Sequence, residues 1–566
     1  MEAKNRPIRK WMEKIRGGEI RLPEFQRGEV WKHALVSNFL EAVIREKPLG
    51  AFLVLDVDPS APPFAARSIA GVENDKDKCT EHLLDGQQRL VALYRSFNNE
   101  HIDERVYYVC SDNTVQGIKP GPRYKWIGDP KAEFQQQFAP IPVAILEPGE
   151  DGLEKSREWK QKATDNPQES ATLDARVKDL RDKFSDTDIP YLSMPRQTSS
   201  GEAIETFVDV NQSSMRLTDF DIAVAVYMSE TSGNLSDLIE EAKEEIPGVV
   251  ALEKDRLIGD WILKAACVQQ DIMPTRSYKG LNFEELRKNW DVLRAGLEWT
   301  VELLEGEHIW DARRLPSTVP LRVLPALHEY FSAIKRDRQS QAKRLIRSYL
   351  WRSFTTDWYI GQANQQLFKD FKALRDCLEN ERFEHPKSGT GKPETIFDSD
   401  LPEEINLLEE GWPYRSGTLR RAILAISVRN GARDMETDEK ISRSNIESRE
   451  YHHIFPRKLL SKYAKNKNQN LALNCMLLKS PTNKAWRDEW PGDYIVERFN
   501  YSGLEGAKAR QAIEERLASH FVPNQFIMNA TKSSGTSLGK VYQSFLKERA
   551  KLISSAIKKL CQGGDL

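Results

Sequence analysis

Four residues near the C-terminus combine side chains that can bind a cation and move a proton. His452 and His453 are adjacent, Asn474 follows after 20 intervening residues, and Asn483 follows after eight more. Hydrolysis of a phosphodiester needs a base that activates water and a cation that stabilises charge growing on the phosphate and the leaving oxygen. One divalent ion needs few protein ligands, because water and the phosphate complete its shell. The four residues are therefore candidates for a metal-assisted hydrolytic centre.

A simpler interpretation of these residues is structural. Paired histidines near the end of a strand are often polar surface residues, and asparagines often form turns. The surrounding segment, HHIFPRKLL (452–460), favours the hydrolytic centre. This segment and the spacing of the four residues resemble the HNH nucleases, whose ββα-metal fold places a strand histidine opposite metal ligands from a following helix.

The resemblance implies a role for each of the four residues. His452 and Asn483 would hold a divalent metal, and His453 would be the general base. Asn474 would be a further catalytic residue that orients the loop or the imidazole of His453. Many such nucleases have histidine where this chain has Asn483, and the amide favours a hard ion such as Mg²⁺ or Mn²⁺.

A basic segment follows the histidine pair. Its basic side chains could contact the phosphates of double-stranded DNA. The candidate residues are Arg457, Lys458, Lys462 and Lys465. Residues 441–566 contain 21 Lys and Arg against 11 Asp and Glu, a net charge of +10, whereas the first 440 residues carry −12. A basic end on an acidic body is typical of a module that binds a polyanion, although many basic tails are only solvated.

A second chemical motif, LLDGQQR, spans residues 83–89. A strand that ends in a glycine turn at a helix start offers backbone N–H groups and the positive end of the helix dipole to an anion. Gly86 allows the backbone to approach closely, and Arg89 could hold a phosphate with two hydrogen bonds. Asp-Gly before a helix is mostly just a turn, so the motif alone leaves nucleotide binding and ordinary capping as alternatives.

Three N-terminal segments carry a second resemblance. PEFQRGEVW (23–31), LLDGQQRL (83–90) and FVDVNQSSMRLTDFDIA (207–223) resemble, in this order, the ParB/sulfiredoxin-like N-terminal domains of GmrSD-type restriction endonucleases, which also end in an HNH domain. The resemblance implies binding and hydrolysis of a nucleoside triphosphate. It assigns nucleotide binding to Gln26, Arg27, Asp85, Gly86, Gln87, Gln88 and Arg89. Asn211 and Asp219 match later positions of the family, whereas NQSSMR lacks the family's glycine.

Strands and helices must position these residues, and their patterns are readable. AFLVLDV (51–57), EHLLDG (81–86) and PIPVAIL (140–146) predict strands, and QQRLVALYRSF (87–97) predicts an amphipathic helix. Residues 150–188 are highly charged and predict a surface excursion. From about residue 201 to 440 the pattern is helical, and Thr218 is the expected N-cap of one helix.

The expected fold class is a multidomain α+β protein. It consists of a ParB/sulfiredoxin-like α/β domain at residues 1–230, a helical connecting region at 231–404 and an HNH domain at 405–566. At 566 residues the chain is too long for one core. The six cysteines are scattered without a CxxC pair, so neither a zinc site nor a disulfide framework is expected. We find no apolar run near the roughly 20 residues of a membrane span and no secretory leader, which favours a cytoplasmic location.

The resemblance to the GmrSD type implies an anti-phage, type IV restriction endonuclease that cleaves modified DNA and is regulated by a nucleotide. The expected partner is double-stranded DNA, in particular modified phage DNA, and a homodimer is compatible with the sequence. Two alternatives stay open. One is a non-catalytic, ParB-like regulator that uses its nucleotide state to clamp DNA, although the complete set of histidines and asparagines argues against it. The other is a toxin nuclease that cuts RNA.

Overall fold

The structure is a computed structural model, and it forms two compact units. The units are Met1–Leu235 and Ser236–Leu566. The predicted division at 404/405 lies inside the second unit and stays a prediction. The structure describes the chain except for residues 27, 29, 30, 73–77, 102, 212–218, 232, 254–256, 276, 277, 387–393, 415, 416, 466 and 502–505. Arg27 and Thr218 therefore lie outside the described residues.

The first unit contains nine described strands. They are β1 (Glu2–Pro7), β2 (Ile20–Pro23), β3 (Phe52–Asp56), β4 (Ala66–Arg67), β5 (Glu81–Asp85), β6 (Val106–Val109), β7 (Val115–Ile118), β8 (Ile141–Pro142) and β9 (Asp188–Met194). Six of them form a mixed sheet in the order β1-β9-β3-β5-β2-β4, and the other three form a sheet in the order β7-β6-β8. The strand β5 lies inside the larger sheet, between an antiparallel β3 and a parallel β2.

Helices cover the strands of the first unit. They are α1 (Ile8–Gly17), α2 (His33–Ile44), α3 (Gln87–Asn98), α4 (Pro130–Phe134), α5 (Glu150–Ala163), α6 (Pro167–Asp186), α7 (Ser200–Asn211) and α8 (Asp219–Thr231). The helix α3 buries Leu90, Leu93 and Phe97, which recur at helical spacing, in the core of this unit. The predicted strands at 51–57 and 81–86 and the helix at 87–97 are confirmed.

Two local predictions in this unit are wrong. The segment PIPVAIL continues as a strand only through Pro142, and Val143–Leu146 form a buried 3-10 turn. The charged residues 150–188 are no surface excursion, because α5 and α6 each bury one apolar stripe in the core. Those stripes include Trp159, Leu180 and Phe184. The many charged residues occupy the other faces of the two helices. Because the apolar residues are few, their helical spacing is difficult to recognise in the sequence.

The second unit is mostly helical. Its helices, the first of which begins at Leu235, are α9 (Leu235–Glu245), α10 (Pro247–Leu252), α11 (Ile258–Gln269), α12 (Phe283–Lys288), α13 (Trp290–Gly306), α14 (Leu324–Ser332), α15 (Gln339–Thr355), α16 (Ala363–Glu379), α17 (Glu404–Glu409), α18 (Thr418–Arg429), α19 (Arg457–Tyr463), α20 (Ser480–Trp486), α21 (Pro491–Tyr501), α22 (Gly506–Ser519), α23 (Asn524–Met528) and α24 (Leu538–Cys561). None of the helices in the described part of the chain is long and apolar enough to cross a membrane.

A two-stranded sheet lies within this helical unit. Its strands, β10 (Arg449–His453) and β11 (Cys475–Lys479), are antiparallel, and α20 begins directly after β11. The long helix α24 holds this sheet through Arg549, whose guanidinium is fully buried and donates to the carbonyls of Leu473, Cys475 and His520 at 2.6, 3.0 and 2.9 Å. One carbonyl of β11 and two carbonyls outside the sheet are thus satisfied by a side chain of α24.

Candidate functional site

The sheet and the helix after it bring His452 and Asn483 together. His452 is the fourth residue of β10 and Asn483 lies in α20, and the imidazole Nδ1 is 2.6 Å from the amide Oδ1. The ring of His452 also packs on the indole of Trp486 at 4.7 Å. Burial lowers the pKa of His452 to about 4, and the hydrogen bond with Asn483 opposes this shift. His452 is therefore neutral near pH 7, which is the form that can bind a cation.

Glu450 adds a carboxylate to this pair. It precedes His452 by two residues on β10, so both side chains lie on the same face of the strand. The amide Nδ2 of Asn483 donates to its Oε2 at 2.6 Å. This hydrogen bond and one from Ser480 lower the pKa of Glu450 below its usual value. An imidazole, an amide and an ionised carboxylate thus meet between the strand and the helix.

His453 lies on the opposite face of β10 from His452. Its ring stacks on the indole of Trp412, with centroids 3.7 Å apart and planes inclined by 9°. Its Nε2 is 3.1 Å from the Oδ1 of Asn470. Burial lowers the pKa of His453 to about 4, the hydrogen bond with Asn470 raises it, and the charge of Arg457 lowers it. Because an amide oxygen only accepts, this contact fixes the proton on Nε2 and leaves Nδ1 as the acceptor.

Asn474 is fully buried and holds the loop that follows β10. Its Oδ1 accepts from the Phe455 N–H at 2.8 Å, and its Nδ2 donates to the carbonyls of Phe455 and Gln469, both at 3.0 Å. No hydrogen bond among the described residues links Asn474 or His453 to the pair of His452 and Asn483. The structure therefore brings two of the four predicted residues into direct contact, and the other two lie around the same strand end.

A buried carboxylate fixes the start of α20. Asp434 accepts from the Lys479 N–H and from the Thr482 hydroxyl, both at 2.8 Å. Although burial raises the pKa of Asp434, hydrogen bonds from Lys479, Thr437 and other donors hold it below its usual value. Asp434 thus ties the helix that carries Asn483 to a preceding loop.

The predicted DNA-binding residues are exposed. Arg457, Lys458 and Lys462 lie on α19, and Lys465 follows this helix. Lys458 pairs with Asp488 at 3.1 Å, and the ammonium of Lys462 lies 5.0 Å from the ring centroid of Tyr463. Surface ion pairs of this kind contribute little to stability, so these side chains can exchange such contacts for phosphate contacts.

The side chains around His452 offer few protein ligands to a divalent ion. In the part of the chain that the structure describes, no group of three or more His, Cys, Asp or Glu side chains could hold a metal. That argues against a closed, all-protein site of the structural zinc type. One imidazole nitrogen of His452, Nε2, is buried without a partner among these residues. Nδ1 of His452 and the Oδ1 of Asn483 face each other, and both could ligate an ion that replaces the hydrogen bond between them. Such an ion would keep most of its water and phosphate ligands, as Mg²⁺ or Mn²⁺ does.

In the first unit, Arg89 lies at the turn between β5 and α3 and contacts the loop before β3. Its guanidinium donates to the carbonyls of Leu49 and Ala51 at 2.9 and 3.0 Å and to the Oδ2 of Asp85 at 2.9 Å. It also lies 4.9 Å from the ring centroid of Phe52. Arg89 therefore connects the start of α3 to the loop before β3.

Gly86 is required by the shape of this turn. Its φ is +103°, a region that side chains rarely adopt, and a Cβ there would clash with the ring of Phe52. The turn allows α3 to start directly after β5, with Gln87 buried in its first turn. The strand, the glycine turn and the helix predicted from LLDGQQR are all present, and the binding of an anion there stays a prediction.

Two glutamines join the motif to the segment PEFQRGEVW. Gln26 is buried and its Nε2 donates to the carbonyls of Leu83 and Leu84 at 2.6 and 2.9 Å, while its Oε1 is buried without a hydrogen-bond partner among the described residues. Gln88 donates to the carbonyl of Gly28 at 3.1 Å and accepts from the Trp31 N–H at 3.2 Å. The structure thus brings together two segments that the sequence places almost 60 residues apart.

Sequence reasoning missed three residues that contact the predicted centre. Glu450 could have been found, because a strand places residues two apart on one face and Glu450 precedes His452 by two. Asn470 lies in the polar segment before Asn474, and nothing in its spacing singles it out. Trp412 lies about 40 residues before His453 and no local pattern connects the two.

Comparison with known proteins bears on both units. Residues 8–228 match the sequence model of the family described as GmrSD restriction endonuclease, N-terminal domain. The matched segment lies within the first unit, which is thus similar to the N-terminal domain of GmrSD restriction endonucleases. A protein of Methanocaldococcus jannaschii, described as uncharacterized, is 20% identical over 602 aligned positions that cover 96% of each chain. The similarity to that archaeal protein therefore extends through the residues around His452.

Proposed function

We propose that this chain is a DNA endonuclease of the restriction type that cuts with an HNH centre in its second unit. The observation that carries the proposal is the contact of 2.6 Å between His452 on β10 and Asn483 on α20. Two antiparallel strands followed directly by a helix, with a strand imidazole facing a helix amide, is the arrangement that a ββα-metal centre requires. The match of residues 8–228 to a restriction endonuclease domain supports DNA as the polymer.

His452 and Asn483 would hold Mg²⁺ or Mn²⁺, with Glu450 supporting the amide. When bound, the ion supplies positive charge that stabilises the developing charge on the phosphate and the leaving oxygen. The carboxylate of Glu450 orients Asn483 through the hydrogen bond of 2.6 Å, which directs the amide oxygen toward the imidazole. Such partners fix the geometry of the groups that ligate the metal.

His453 would be the general base. The contact between its Nε2 and Asn470 leaves the lone pair on Nδ1, which accepts the proton of the attacking water. Stacking on Trp412 restricts the rotation of the ring. Asn474 would act by positioning, because its three hydrogen bonds fix the loop directly after His453.

The first unit would sense a nucleoside triphosphate. The residues proposed to bind it are Gln26, Arg27, Asp85, Gly86, Gln87, Gln88 and Arg89. One observation that supports this proposal is the turn at Gly86, directly after which α3 begins. The other is that Gln26 and Gln88 join the segments PEFQRGEVW and LLDGQQR through hydrogen bonds. Binding or hydrolysis there would govern cutting of modified phage DNA by the second unit, which protects the host chromosome.

The test is a cleavage assay with the purified full-length chain. Modified and unmodified phage DNAs, and an RNA of equal length, are incubated with Mg²⁺ with and without nucleoside triphosphates. Wild type should cut a modified DNA, and His453→Ala should lose about 10²–10⁴-fold in rate, the usual contribution of a general base. His33→Ala, an exposed histidine of the first unit, is the matched control. Cutting of RNA alone, or an unchanged rate for His453→Ala, would refute the proposal.

A further inference from the structure

A hollow in the second unit lies beside the strand that carries the histidines. It has a volume of about 560 Å³ and is lined by Ala312, Arg313, Tyr414, Arg421 and Tyr451. A volume of this size is within the range of small-molecule sites. Four of the five lining residues are arginines or tyrosines, so the hollow combines positive charge with aromatic faces.

The arginines and tyrosines of this hollow contact each other. The guanidinium carbon of Arg313 lies 5.0 Å from the ring centroid of Tyr451 and 5.6 Å from that of Tyr414. The two rings meet edge to face at 6.4 Å. Tyr414 is nevertheless 68% exposed, which is unusual for a large ring in an ordered contact. One face of this ring is therefore available to a flat ligand.

The positive charge of the hollow is not neutralised within the described residues. Neither Arg313 nor Arg421 forms an ion pair with a carboxylate of that part of the chain. The guanidinium of Arg421 donates there to the carbonyl of Leu315, at a long 3.4 Å. The nearby carboxylate of Asp311 is already paired with Arg314 at 2.7 Å. Guanidinium groups that lack a carboxylate partner attract anions, so an anionic ligand would stabilise this arrangement.

The hollow and His453 share one face of β10. Tyr451 and His453 are two residues apart on the strand. Tyr414, whose ring meets Tyr451 edge to face, and Trp412, which stacks on His453, are also two apart. Two residues of a strand span ~6.8 Å. Stacked nucleotides rise by about 3.4 Å along the axis of DNA, so a spacing of this size places the hollow within reach of a nucleotide close to the phosphate at His453.

We propose that this hollow binds one nucleotide of the DNA strand that is cut, close to the phosphate at His453. Its phosphate pairs with Arg313 and Arg421, and its base stacks on the exposed ring of Tyr414. The inference rests on the proposed function for the class of polymer. It adds a substrate-binding subsite that is separate from the metal ligands, from the base and from the lysines after His453.

Binding and cutting are measured separately to test the subsite. Affinity for a fluorescein-labelled DNA duplex is determined in EDTA over a series of salt concentrations, and cleavage is determined with Mg²⁺. Tyr414→Leu should weaken binding roughly 5- to 100-fold, the usual effect of losing one base–aromatic stack, and Tyr414→Phe should restore it. Arg313→Gln and Arg421→Gln should each lower the salt slope by about 0.9. Arg336→Gln, an exposed arginine of the same unit, is the control.

The outcomes separate this subsite from the nuclease proposal. Arg313 and Tyr414 are exposed, so these variants should fold, and thermal denaturation checks that they do. If all hollow variants bind DNA like wild type with an unchanged salt slope, the subsite is wrong, even if wild type cuts DNA. If the hollow variants keep their affinity for DNA but lose the binding of another protein, the subsite is likewise wrong. If they weaken DNA binding although wild type never cuts, the subsite stands and the nuclease proposal fails.

Discussion

The imidazole of His452 and the carboxamide of Asn483 meet at 2.6 Å although 31 residues separate them in sequence. The strand β10 presents the imidazole, and α20 begins directly after the partner strand, so one turn of helix is enough to place the amide opposite it. Asp434 fixes the start of α20 and Arg549 fixes the backbone of β11. The geometry of the pair is thus determined by two buried charged residues that lie outside the motif.

Substitution of Asn483 by alanine should raise the metal requirement of the proposed nuclease. The variant lacks the amide oxygen that faces His452, so a higher concentration of Mg²⁺ or Mn²⁺ should be needed for half-maximal cleavage, by 10- to 100-fold as a rough order for a lost ligand or its support. Cleavage is titrated against metal for wild type, Asn483→Ala and the exposed-site control Asn529→Ala. Equal metal curves for all three would contradict the assignment of Asn483.

Substitution of Asn474 by alanine should lower both the stability of the second unit and the rate of DNA cleavage. The Phe455 N–H and two carbonyls lose their partners in a fully buried position, which should cost about 1–3 kcal/mol of the free energy of unfolding. Asn474→Asp keeps the acceptor for Phe455 and should lie between wild type and alanine. Thermal denaturation and cleavage are compared, and a variant of unchanged stability would show that this loop is held by other contacts.

Charge reversal on and after α19 should weaken DNA binding and reduce its salt dependence. Lys458, Lys462 and Lys465 are exposed, so their change to glutamate should leave the fold intact. Each lost phosphate contact lowers the salt slope by about 0.9. The matched control reverses Lys540, Lys547 and Lys551, which are equally exposed on α24. An identical effect of both triple variants would indicate a general effect of net charge.

Substitution of Arg89 should separate nucleotide chemistry from loop packing. On the proposed function, Arg89→Ala should lose nucleotide hydrolysis and the effect of nucleotide on cutting, whereas the second unit keeps its metal-dependent centre. Because Arg89 also holds the carbonyls of Leu49 and Ala51, the melting temperature is measured in parallel. Arg95→Ala, on the last turn of the same helix, is the control. If Arg89→Ala hydrolyses nucleotide at the wild-type rate, the side chain of Arg89 serves only capping and packing.

A buried carboxyl predicts a pH dependence of stability. Asp370 is fully buried, and burial raises its pKa to about 6, against the hydrogen bonds from Tyr359, Ile396 and Trp358. Because the folded pKa exceeds the unfolded one, the protonated form stabilises the fold below pH ~4 and this contribution is lost as pH rises through 6, at ~1.4 kcal/mol per unit.

Comparison with Asp370→Asn isolates the effect of that carboxyl. The advantage of wild type over the variant in the midpoint of thermal unfolding should be larger at pH 4 than at pH 7. A difference that is independent of pH would show that Asp370 does not titrate in this range.

The sequence by itself determined the local elements and the residue types of the candidate site. The strand β5, the turn at Gly86 and the helix α3 follow from a buried apolar run, a glycine and helical spacing, all of which act between near neighbours. The basic segment after the histidine pair is likewise readable from its residues, and in the structure Arg457, Lys458 and Lys462 lie on α19. Local patterns were misleading in two places. In α5 and α6 the charged residues outnumber the apolar residues that form the buried stripe. The segment PIPVAIL is equally compatible with a strand and with a buried turn.

Only the tertiary structure decided which distant segments meet. The order β1-β9-β3-β5-β2-β4 joins strands that are up to about 190 residues apart, and no local propensity specifies such pairings. Trp412 on His453, Arg89 on the loop at Leu49 and Arg549 on β11 are likewise contacts between separate elements. Each arises because burying apolar surface brings the elements together and leaves polar groups that must find partners across the new interface. The residue types of the candidate site were therefore readable from the sequence, whereas the contacts that hold them in place were decided by packing.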